Sequence, residues 1–547
     1  MSPMQIRRDA IMKLCEAGLK DREAWIKAGY RLPEFDRDKV RENTRKAPRW
    51  IHFGVGNIFR AFQANVMQNL LNEGVMDTGL LAAEGFDYEI IEKLNRNVDD
   101  YSILVTLKAE GTVEKTVVGS IVRSYILDRE NEPEFEGLKE VCRNPSLQMA
   151  SFTITEKGYA LADPNGNIFP FIEADFKAGP DKASGYLGKV VSLLYERFKA
   201  GELPIAMVSM DNCSHNGDKV YAAVTGFAKA WAEAGLVPEA FVDYVNNREK
   251  VSYPWSMIDK ITPRPDSRVV EILEKDGVED LDLIVTSRKT FVSKFVNAEE
   301  TQYLVIEDWF PNGKLPLDKG GIIYTDRETV DKIEKMKVCT CLNPVHTSLA
   351  VYGCLLGFDL ISEEMKDAQL GKLARRVGEI EGLPVVVDPG IIRPEDFLHE
   401  VLNVRIPNPF MPDTPQRIAT DTSQKLPIRF GETIKAYIRD GRNLDDLVAI
   451  PLVFAGWLRY LLGRNDDLAE FEISADPMLP YLQEKLAGIE IGNTEGVEEI
   501  LKPVLSNDVI FGVNLYEAGL AERVIGYFKE LIAGKGAVRA TLEKYIG

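Results

Sequence analysis

The sequence lacks both a long hydrophobic run and a targeting signal. Its longest apolar stretch, residues 447–458, contains a proline and is followed by an arginine. It is well short of the roughly 20 residues that a membrane-spanning helix needs, so we interpret it as a buried core helix. The first 20 residues are interrupted by charges and have no apolar core of a secretory signal. We therefore expect a cytoplasmic chain with no membrane partner.

The chain is also poor in basic charge and in cysteine. It has 66 Lys and Arg against 85 Asp and Glu, a formal net charge of -19, which argues against a nucleic-acid partner. Six cysteines are scattered through 547 residues, and a chain of this size does not need disulfides, so we expect reduced thiols. The neighbouring Cys339 and Cys341 have no second pair of ligands to complete a structural zinc site, so we expect no metal.

The apolar residues that are present indicate an α/β protein with a helical second half. Residues 1–47 are polar and predict an N-terminal helical extension. Residues 48–315 alternate β-like runs, such as 101–107, 116–126 and 203–210, with helical patterns. This alternation predicts a Rossmann-type domain with a mixed sheet. Residues 316–547 are mostly helical and predict a separate domain.

A glycine turn after the first β-like run is a candidate phosphate site. Residues 50–53 lead into Gly54 and Gly56, and apolar residues then recur every three or four positions up to Gly74. This strand–turn–helix order suits a dinucleotide, whose phosphates bind at a helix N-terminus. Phe59 replaces the third glycine of the usual fingerprint, so an ordinary turn is the alternative. The residues expected to contact the cofactor here are Gly54, Gly56, Asn57, Ile58, Phe59 and Arg60.

An acidic residue follows the second strand of this unit. Glu84 lies 28 positions after Gly56, and Asp87 is the competing candidate. A carboxylate at this place accepts hydrogen bonds from the adenosine ribose and repels a 2′-phosphate. The sequence therefore favours NAD over NADP.

Residues 334–346 concentrate the polar groups Glu334, Lys337, Asn343 and His346. One interpretation is structural: Asn343, followed by a proline, caps a helix, and Lys337 is a solvated charge. The other is catalytic, because a helix N-terminus beside a lysine would favour an alkoxide and a neutral amine. A lysine acts as a general base only when its pKa falls from about 10.4 toward roughly 7–8. The spacing alone leaves both interpretations open.

Two further polar clusters follow β-like runs. Asp211 and Asn212 end the run at 203–210, and Asp259 lies in a proline-flanked loop. Because open α/β sheets bind ligands at the carboxyl ends of their strands, Asp211 and Asp259 are candidate substrate-binding residues. The other histidines, at positions 52, 215 and 399, are expected to be structural or surface residues.

Eight sequence blocks occur in order between about residues 48 and 480. They are IHFGVGNIFRAFQA, SFTITEKGY, VSMDNCSHNG, MIDKITPRP, VIEDWFPNG, EKMKVCTCLNPVHTSLA, RIPNP and FAGWLRYLLG. Together these blocks resemble the polyol-specific long-chain dehydrogenases, which include mannitol 2-dehydrogenase and fructuronate reductase. The resemblance implies an N-terminal Rossmann-type domain, a helical C-terminal domain, residues 316–547, that carries the substrate and the catalytic groups, and metal-independent hydride transfer to or from NAD.

The resemblance also assigns roles to residues in these blocks. It makes Lys337 the general acid/base, with Asn212 and Asn343 as donors to the reacting oxygen. His346 would hydrogen-bond the substrate. One departure concerns spacing, because the family's lysine and asparagine are five positions apart and here they are six apart; Lys335 is the alternative base. The remaining site residues would be Glu334, Asp259 and, as a substrate contact, Arg405.

The resemblance favours the sugar-acid branch of the family, with reduction of fructuronate to mannonate as the expected reaction. A uronate carboxylate needs a cationic partner, and the candidates are Lys157, Arg405, Lys425 and Arg429. Mannitol or arabinitol oxidation and tagaturonate reduction are the alternatives. An NAD-binding sensor without activity is an alternative of another class, although a sensor would not need the acid/base set. The sequence carries no signal of oligomeric state.

Overall fold

The computed structural model describes residues 11–547. The described chain forms two compact units, of which the second consists of Lys332–Gly547 together with Ala109–Gly111. Residues 1–10 of the expected N-terminal extension lie outside the described residues. Within residues 11–547, no helix combines the length and the apolar character that a membrane crossing requires.

A six-stranded parallel sheet organises the first unit. Its spatial order is β6-β3-β2-β7-β8-β9, and every neighbouring pair is parallel. This is the 3-2-1-4-5-6 order of the Rossmann fold, so the predicted fold is confirmed. Strands buried on both faces need continuous apolar runs. The strands are β2 (Trp50–Phe53), β3 (Leu80–Glu84), β6 (Ile121–Ile126), β7 (Met149–Phe152), β8 (Ile205–Ser209) and β9 (Val251–Ser252).

Antiparallel pairs occur in smaller sheets of the same unit. One has the order β1-β5-β4-β13, another the order β10-β14-β15, and β11 pairs with β12. The expected mixture of strand directions is therefore divided between sheets. These strands are β1 (Tyr30–Arg31), β4 (Ser102–Leu107), β5 (Val113–Val118), β10 (Ser256–Asp259), β11 (Ile284–Val285), β12 (Phe291–Val292), β13 (Phe295–Glu299), β14 (Tyr303–Glu307) and β15 (Ile323–Thr325).

The apolar run at 116–126, expected as one strand, is two strands in different sheets. The chain leaves β5 at Val118 and enters β6 at Ile121. Gly119 lies between them, where a Cβ atom would come within 2.6 Å of the Tyr101 ring. The close approach of this ring requires glycine, and the chain changes sheets at this point. A run of apolar residues predicts burial, but it does not specify which sheet a strand joins.

Helices cover the strands of the first unit. They are α1 (Arg22–Lys27), α2 (Arg37–Lys46), α3 (Ala64–Asn72), α4 (Glu132–Arg143), α5 (Pro170–Ala178), α6 (Tyr186–Lys199), α7 (Asn216–Glu233), α8 (Glu239–Asn246) and α9 (Ser267–Lys275). The next helix, α10 (Arg327–Lys335), contains the residues at which the two units divide.

The second unit is a bundle around two buried helices, α11 and α18. Every residue of α18 is buried, which confirms the interpretation of this apolar stretch as a core helix. The helices are α11 (Asn343–Leu356), α12 (Ile361–Glu364), α13 (Ala368–Arg375), α14 (Pro394–Glu400), α15 (Pro415–Ile418), α16 (Thr422–Leu426), α17 (Glu432–Arg439), α18 (Ala449–Tyr460), α19 (Leu479–Leu486), α20 (Val497–Leu505), α21 (Asp508–Phe511), α22 (Ala521–Leu531) and α23 (Ala537–Ile546).

Two buried glutamates of this bundle have opposite environments. The Glu381 carboxylate accepts hydrogen bonds from the N–H groups that begin α18, at 2.6–2.9 Å. The Glu364 carboxylate is fully buried, and neither of its oxygens has a hydrogen-bond partner among the described residues. Burial, with the negative charge of Asp367 second, raises the pKa of Glu364 well above its ordinary value. Glu364 is therefore held as a neutral acid.

We expect Glu364→Gln to stabilise the protein progressively as the pH rises from 5 to 8. The folded-state pKa of Glu364 lies above the unfolded value, so ionisation favours the unfolded chain and wild-type stability falls through this interval. The loss is about 1.4 kcal/mol for each pH unit between the two pKa values. Thermal melts of wild type and variant at pH 5 and pH 8 measure the difference. Glu363→Gln, at an exposed position beside it, is the control, and equal pH dependence of all three proteins would contradict the prediction.

Candidate functional site

The glycine turn lies at the carboxyl end of β2, where the strand order of the parallel sheet reverses. Gly54 has φ +105°, and a Cβ atom there would lie 2.3 Å from the carbonyl oxygen of Thr153, the residue after β7. Glycine is therefore required both by the backbone conformation and by the close approach of the segment that follows β7. The Gly54 N–H donates to the carbonyl of Ala83 in β3 at 2.9 Å.

Helical backbone begins immediately after the second glycine, at Asn57. A Cβ atom on Gly56 would meet no atom within 4 Å, so space is open at this helix N-terminus. Unpaired N–H groups and the helix dipole favour an anion in such a place. The geometry suits the pyrophosphate of a dinucleotide.

Phe59 and Arg60 point into the protein interior. The Phe59 ring stacks on the ring of His52, with centroids 4.0 Å apart, and so fills the space beside β2. The Arg60 guanidinium donates to the Ser293 carbonyl at 2.8 Å and to Asn57 Oδ1 at 2.9 Å. Burial lowers the pKa of Arg60 to about 10. These contacts fix the start of the helix, and Asn57 is held by Arg60.

Glu84 joins the glycine turn to the end of β3. Its carboxylate accepts the N–H groups of Val55 at 2.9 Å, Phe86 at 2.8 Å and Asp87 at 3.1 Å. The Asp87 carboxylate accepts the Thr286 hydroxyl through Oδ2, at 2.5 Å. Its buried Oδ1 has no hydrogen-bond partner in the described part of the chain. Both carboxylates thus lie at the end of β3, where a ribose would bind. The Oδ1 atom of Asp87 remains an unused hydrogen-bond acceptor.

A cavity of about 630 Å³ adjoins this strand end. It is lined by Phe86 and Asp87, with Lys157 and Arg288 among the basic side chains. The hydroxyl of Tyr186, also in the lining, is buried and has no hydrogen-bond partner within residues 11–547. Two unsatisfied polar atoms in one cavity are the features expected where a polar ligand completes the hydrogen bonding.

The polar residues after β8 have different roles. The Asp211 carboxylate accepts the N–H groups of Ile154 at 3.0 Å and Thr155 at 2.9 Å, and the hydroxyl of Tyr159 at 2.6 Å. Burial raises the pKa of Asp211. This carboxylate therefore holds the loop that follows β7. The next side chain, Asn212, is exposed, and Asp259 is buried at the end of β10.

The helical segment that contains the candidate catalytic lysine has one wide turn. A π-helix, Met336–Cys341, joins α10 to α11, and the Leu342 N–H donates to the Lys337 carbonyl five residues earlier, at 3.0 Å. A π turn accommodates one extra residue without ending the helix. The six-residue spacing of Lys337 and Asn343 is thereby absorbed within helical backbone.

The structural interpretation of Asn343 is wrong. Asn343 is the first residue of α11 and Leu342 is its N-cap, with no side-chain capping hydrogen bond, because the preceding π turn already supplies helical backbone up to this point. Because helical backbone precedes α11, the exposed helix N-terminus that was expected beside Lys337 is not formed. The Asn343 side chain is half-buried and forms no hydrogen bond with any residue that the structure describes. Its carboxamide is available to a ligand.

Burial distinguishes the two candidate bases. The Lys337 side chain is buried, with 4% of the residue exposed, whereas Lys335 is exposed. Residues two apart on a helix do not share a face, so only one of these two lysines can point into the protein interior. Glu334 lies half-buried one turn before Lys337. The geometry favours Lys337 as the acid/base.

His346 lies one turn after Asn343 on α11, beside an acidic residue that the sequence analysis missed. Its Nε2 is 3.5 Å from Oδ2 of Asp413. Burial lowers the pKa of His346 to about 4, the negative charge of Asp413 opposes the shift, and Arg429, Arg417 and Arg405 add to it. The imidazole is therefore neutral near pH 7 and can hydrogen-bond a substrate. No sequence spacing relates Asp413 to His346, because the contact is tertiary.

Two of the four candidate cations for a carboxylate lie near His346. Arg405 is buried at the end of the π-helix Val401–Arg405, and Arg429 lies in the π-helix Pro427–Gly431 and donates to the hydroxyl of Thr347. Lys425 donates to backbone carbonyls instead, and Lys157 lines the cavity of the first unit. Lys337, Arg405 and Arg429 each lie in a π-helix.

Residues 11–547 contain no group of three or more His, Cys, Asp or Glu side chains placed to hold a metal ion. Cys341 is buried, with its Sγ 3.8 Å from the Pro394 carbonyl. Cys339 and Cys341 are both free thiols.

The sequence matches two families along most of its length. Residues 48–319 match the mannitol dehydrogenase Rossmann domain, and residues 329–532 match the mannitol dehydrogenase C-terminal domain. The chain is 53% identical over 540 residues to the D-mannonate oxidoreductase of Thermotoga maritima, covering 98% of this chain and 99% of that protein.

Two solved structures share the fold over nearly the whole chain. A D-sorbitol dehydrogenase in substrate-free form is 25% identical with a TM-score of 0.78, covering 94% of this chain and 98% of that one. The Pseudomonas fluorescens mannitol 2-dehydrogenase, in a ternary complex with NAD and D-mannitol, is 25% identical with a TM-score of 0.68, covering 97% and 99%. The chain belongs to the mannitol dehydrogenase family.

Proposed function

We propose that this protein is an NAD-dependent oxidoreductase that interconverts D-mannonate and D-fructuronate. The observation that carries the proposal is the 53% identity, over 98% of the chain, to a D-mannonate oxidoreductase. The site chemistry agrees with it, because a buried lysine, a half-buried asparagine and a neutral histidine follow one another along one helical segment. Arginines lie near the histidine, as an acidic substrate requires.

The residues of the first unit fit NAD. Gly56 leaves open space for the pyrophosphate at the helix N-terminus, Gly54 allows the tight turn before it, and Asp87 retains a buried acceptor for a ribose hydroxyl. A carboxylate in this place disfavours the 2′-phosphate of NADP. A mannitol 2-dehydrogenase of the same family binds NAD in its crystal structure. NAD, when bound, accepts or gives the hydride.

Lys337 is proposed to carry the proton. In the reducing direction its ammonium group protonates the ketone oxygen, and in the oxidising direction its neutral amine removes the hydroxyl proton. Asn343 donates a hydrogen bond to the oxygen while negative charge develops on it. The neutral imidazole of His346 positions a substrate hydroxyl, with Asp413 beside it. Asn212 is proposed as a second hydrogen-bond donor to this oxygen, and Asp259 and Glu334 as supporting polar residues of the site.

We also infer a cytoplasmic location and a small-molecule substrate. All six cysteines are free thiols, and disulfides are rare in the cytoplasm. A net charge of -19 disfavours nucleic acid as a partner.

Steady-state NADH consumption with D-fructuronate, D-tagaturonate and D-fructose, measured side by side, tests the proposal. We expect kcat/KM for D-fructuronate to exceed that for neutral D-fructose by at least about 100-fold. D-Fructose has no carboxylate, so the cationic groups that bind the carboxylate of D-fructuronate would remain unpaired with it. A preference for D-fructose or D-tagaturonate would contradict the substrate assignment. Binding of NADH without turnover of any ketone would indicate a sensor.

A further inference from the structure

Arg429 is a half-buried guanidinium without an acidic partner. Its hydrogen bond within residues 11–547 is to the hydroxyl of Thr347, and no carboxylate there forms an ion pair with it. Burial is the cause that lowers the pKa of Arg429 to about 10, with no acidic group offsetting it. A charge taken out of water without a counterion destabilises the fold. Such a group fits a site that receives its counterion from outside the chain.

The acidic residue beside His346 already has partners. Asp413 forms an ion pair with Arg417 and lies 3.5 Å from His346. Lys425, whose pKa falls to about 8 through burial and the positive charge of Arg429, donates to the carbonyls of Ile418 and Thr420. The charges around His346 therefore leave an excess of positive charge at Arg429.

The position of Arg429 relates this excess to the candidate catalytic groups. Its hydrogen-bond partner, Thr347, follows His346 directly on α11, the helix that also carries Asn343. The positive charge of Arg429 lowers the pKa of His346, so the two side chains lie within electrostatic reach. An anion on Arg429 would lie close to a substrate hydroxyl held by His346. A planar guanidinium can bind a carboxylate through two parallel hydrogen bonds.

We propose that Arg429 binds the carboxylate of the sugar-acid substrate and so selects sugar acids over neutral polyols. The inference rests on the proposed function and adds the residue that determines its specificity. Arg405 contributes positive potential at the same place. Lys425 and Lys157 are not the carboxylate ligands, because Lys425 is held by carbonyls and Lys157 lies at the cavity beside β3.

The test compares D-mannonate with D-mannitol as substrates of the NAD-dependent oxidation. We expect Arg429→Gln to lower kcat/KM for D-mannonate by roughly 10²–10³-fold, mainly through KM, as removal of one partner of a close charge pair does. For D-mannitol the change should stay within about threefold, so the ratio of the two substrates falls. Arg439→Gln is the matched control, because Arg439 is exposed and pairs with Asp440 at 2.7 Å.

Binding is measured separately from turnover by thermal shift with D-mannonate and NADH, a combination that cannot react. D-Mannonate should raise the Tm of the wild type and of Arg439→Gln but not that of Arg429→Gln. Arg429→Lys keeps the charge and the volume but loses the planar fork, so it should fold and show an intermediate loss, about tenfold, for D-mannonate alone.

Failure of the Arg429 assignment and failure of the proposed function give different results. An unchanged D-mannonate to D-mannitol ratio and an unchanged thermal shift in Arg429→Gln, or in Arg429→Lys if the first variant does not fold, would overturn the assignment of Arg429. The proposed function would survive that result. A wild-type protein that does not oxidise D-mannonate would overturn the proposed function and the assignment together.

Discussion

Lys337→Ala is expected to lower kcat for D-fructuronate reduction by roughly 10²–10⁴-fold, the usual contribution of a positioned acid/base group. The buried amine is the group on this helix that can deliver a proton to the ketone oxygen away from water. NADH affinity, followed by fluorescence titration, should not change, because the dinucleotide turn is built from other residues. Added primary amines such as methylamine should restore part of the rate.

Lys335→Ala is the control for this prediction. Lys335 is exposed and two residues from Lys337, so its removal changes the charge of the same segment without touching the enclosed amine. Its kcat should equal that of the wild type. Normal turnover in Lys337→Ala, or loss of turnover in Lys335→Ala instead, would show that the proton carrier has been assigned to the wrong side chain.

Asn343→Ala should lower kcat by roughly 10²–10³-fold, about 3–4 kcal/mol, the effect of removing one preorganised donor to a developing alkoxide. The carboxamide has no hydrogen bond within the described chain, so no structural contact is lost with it. The Tm should therefore remain within a few degrees of the wild type while turnover falls.

Steady-state kinetics of Asn343→Ala, together with a thermal melt, distinguish catalysis from folding. Asn493→Ala is the matched control, since Asn493 is exposed and accepts only the N–H of Glu495 at 3.0 Å. A kcat within threefold of the wild type, or a loss that matches a fall in Tm, would remove Asn343 from the mechanism.

Much of the fold could be predicted from the sequence because the signals are local. The turn after β2 needs a glycine at position 54 because φ is positive there, which is a local requirement, and the apolar stretch of α18 is buried as its composition indicates. The division of residues 116–126 between two sheets could not be predicted. The two strands are separated at Gly119, against which the ring of Tyr101 packs, and this is a contact between separate segments.

The candidate site shows the same limit. Local sequence placed Lys337, Asn343 and His346 on one segment, but their spacing left Lys335 open as the base and suggested a helix cap at Asn343. Only the π turn explains how the extra residue is accommodated while Lys337 stays buried. Tertiary contacts likewise bring Asp413 to His346 and Arg429 to the neighbouring Thr347 from positions far along the chain, and no periodicity relates them.

One isotope measurement tests directly whether hydride passes from the substrate carbon to NAD. D-Mannonate carrying deuterium on the carbon that becomes the ketone is oxidised by the protein with NAD, and the reduced cofactor is analysed by mass spectrometry. We predict one deuterium in each NADH molecule formed and a slower turnover than with unlabelled substrate. Formation of unlabelled NADH, with the deuterium released into water, would contradict the account.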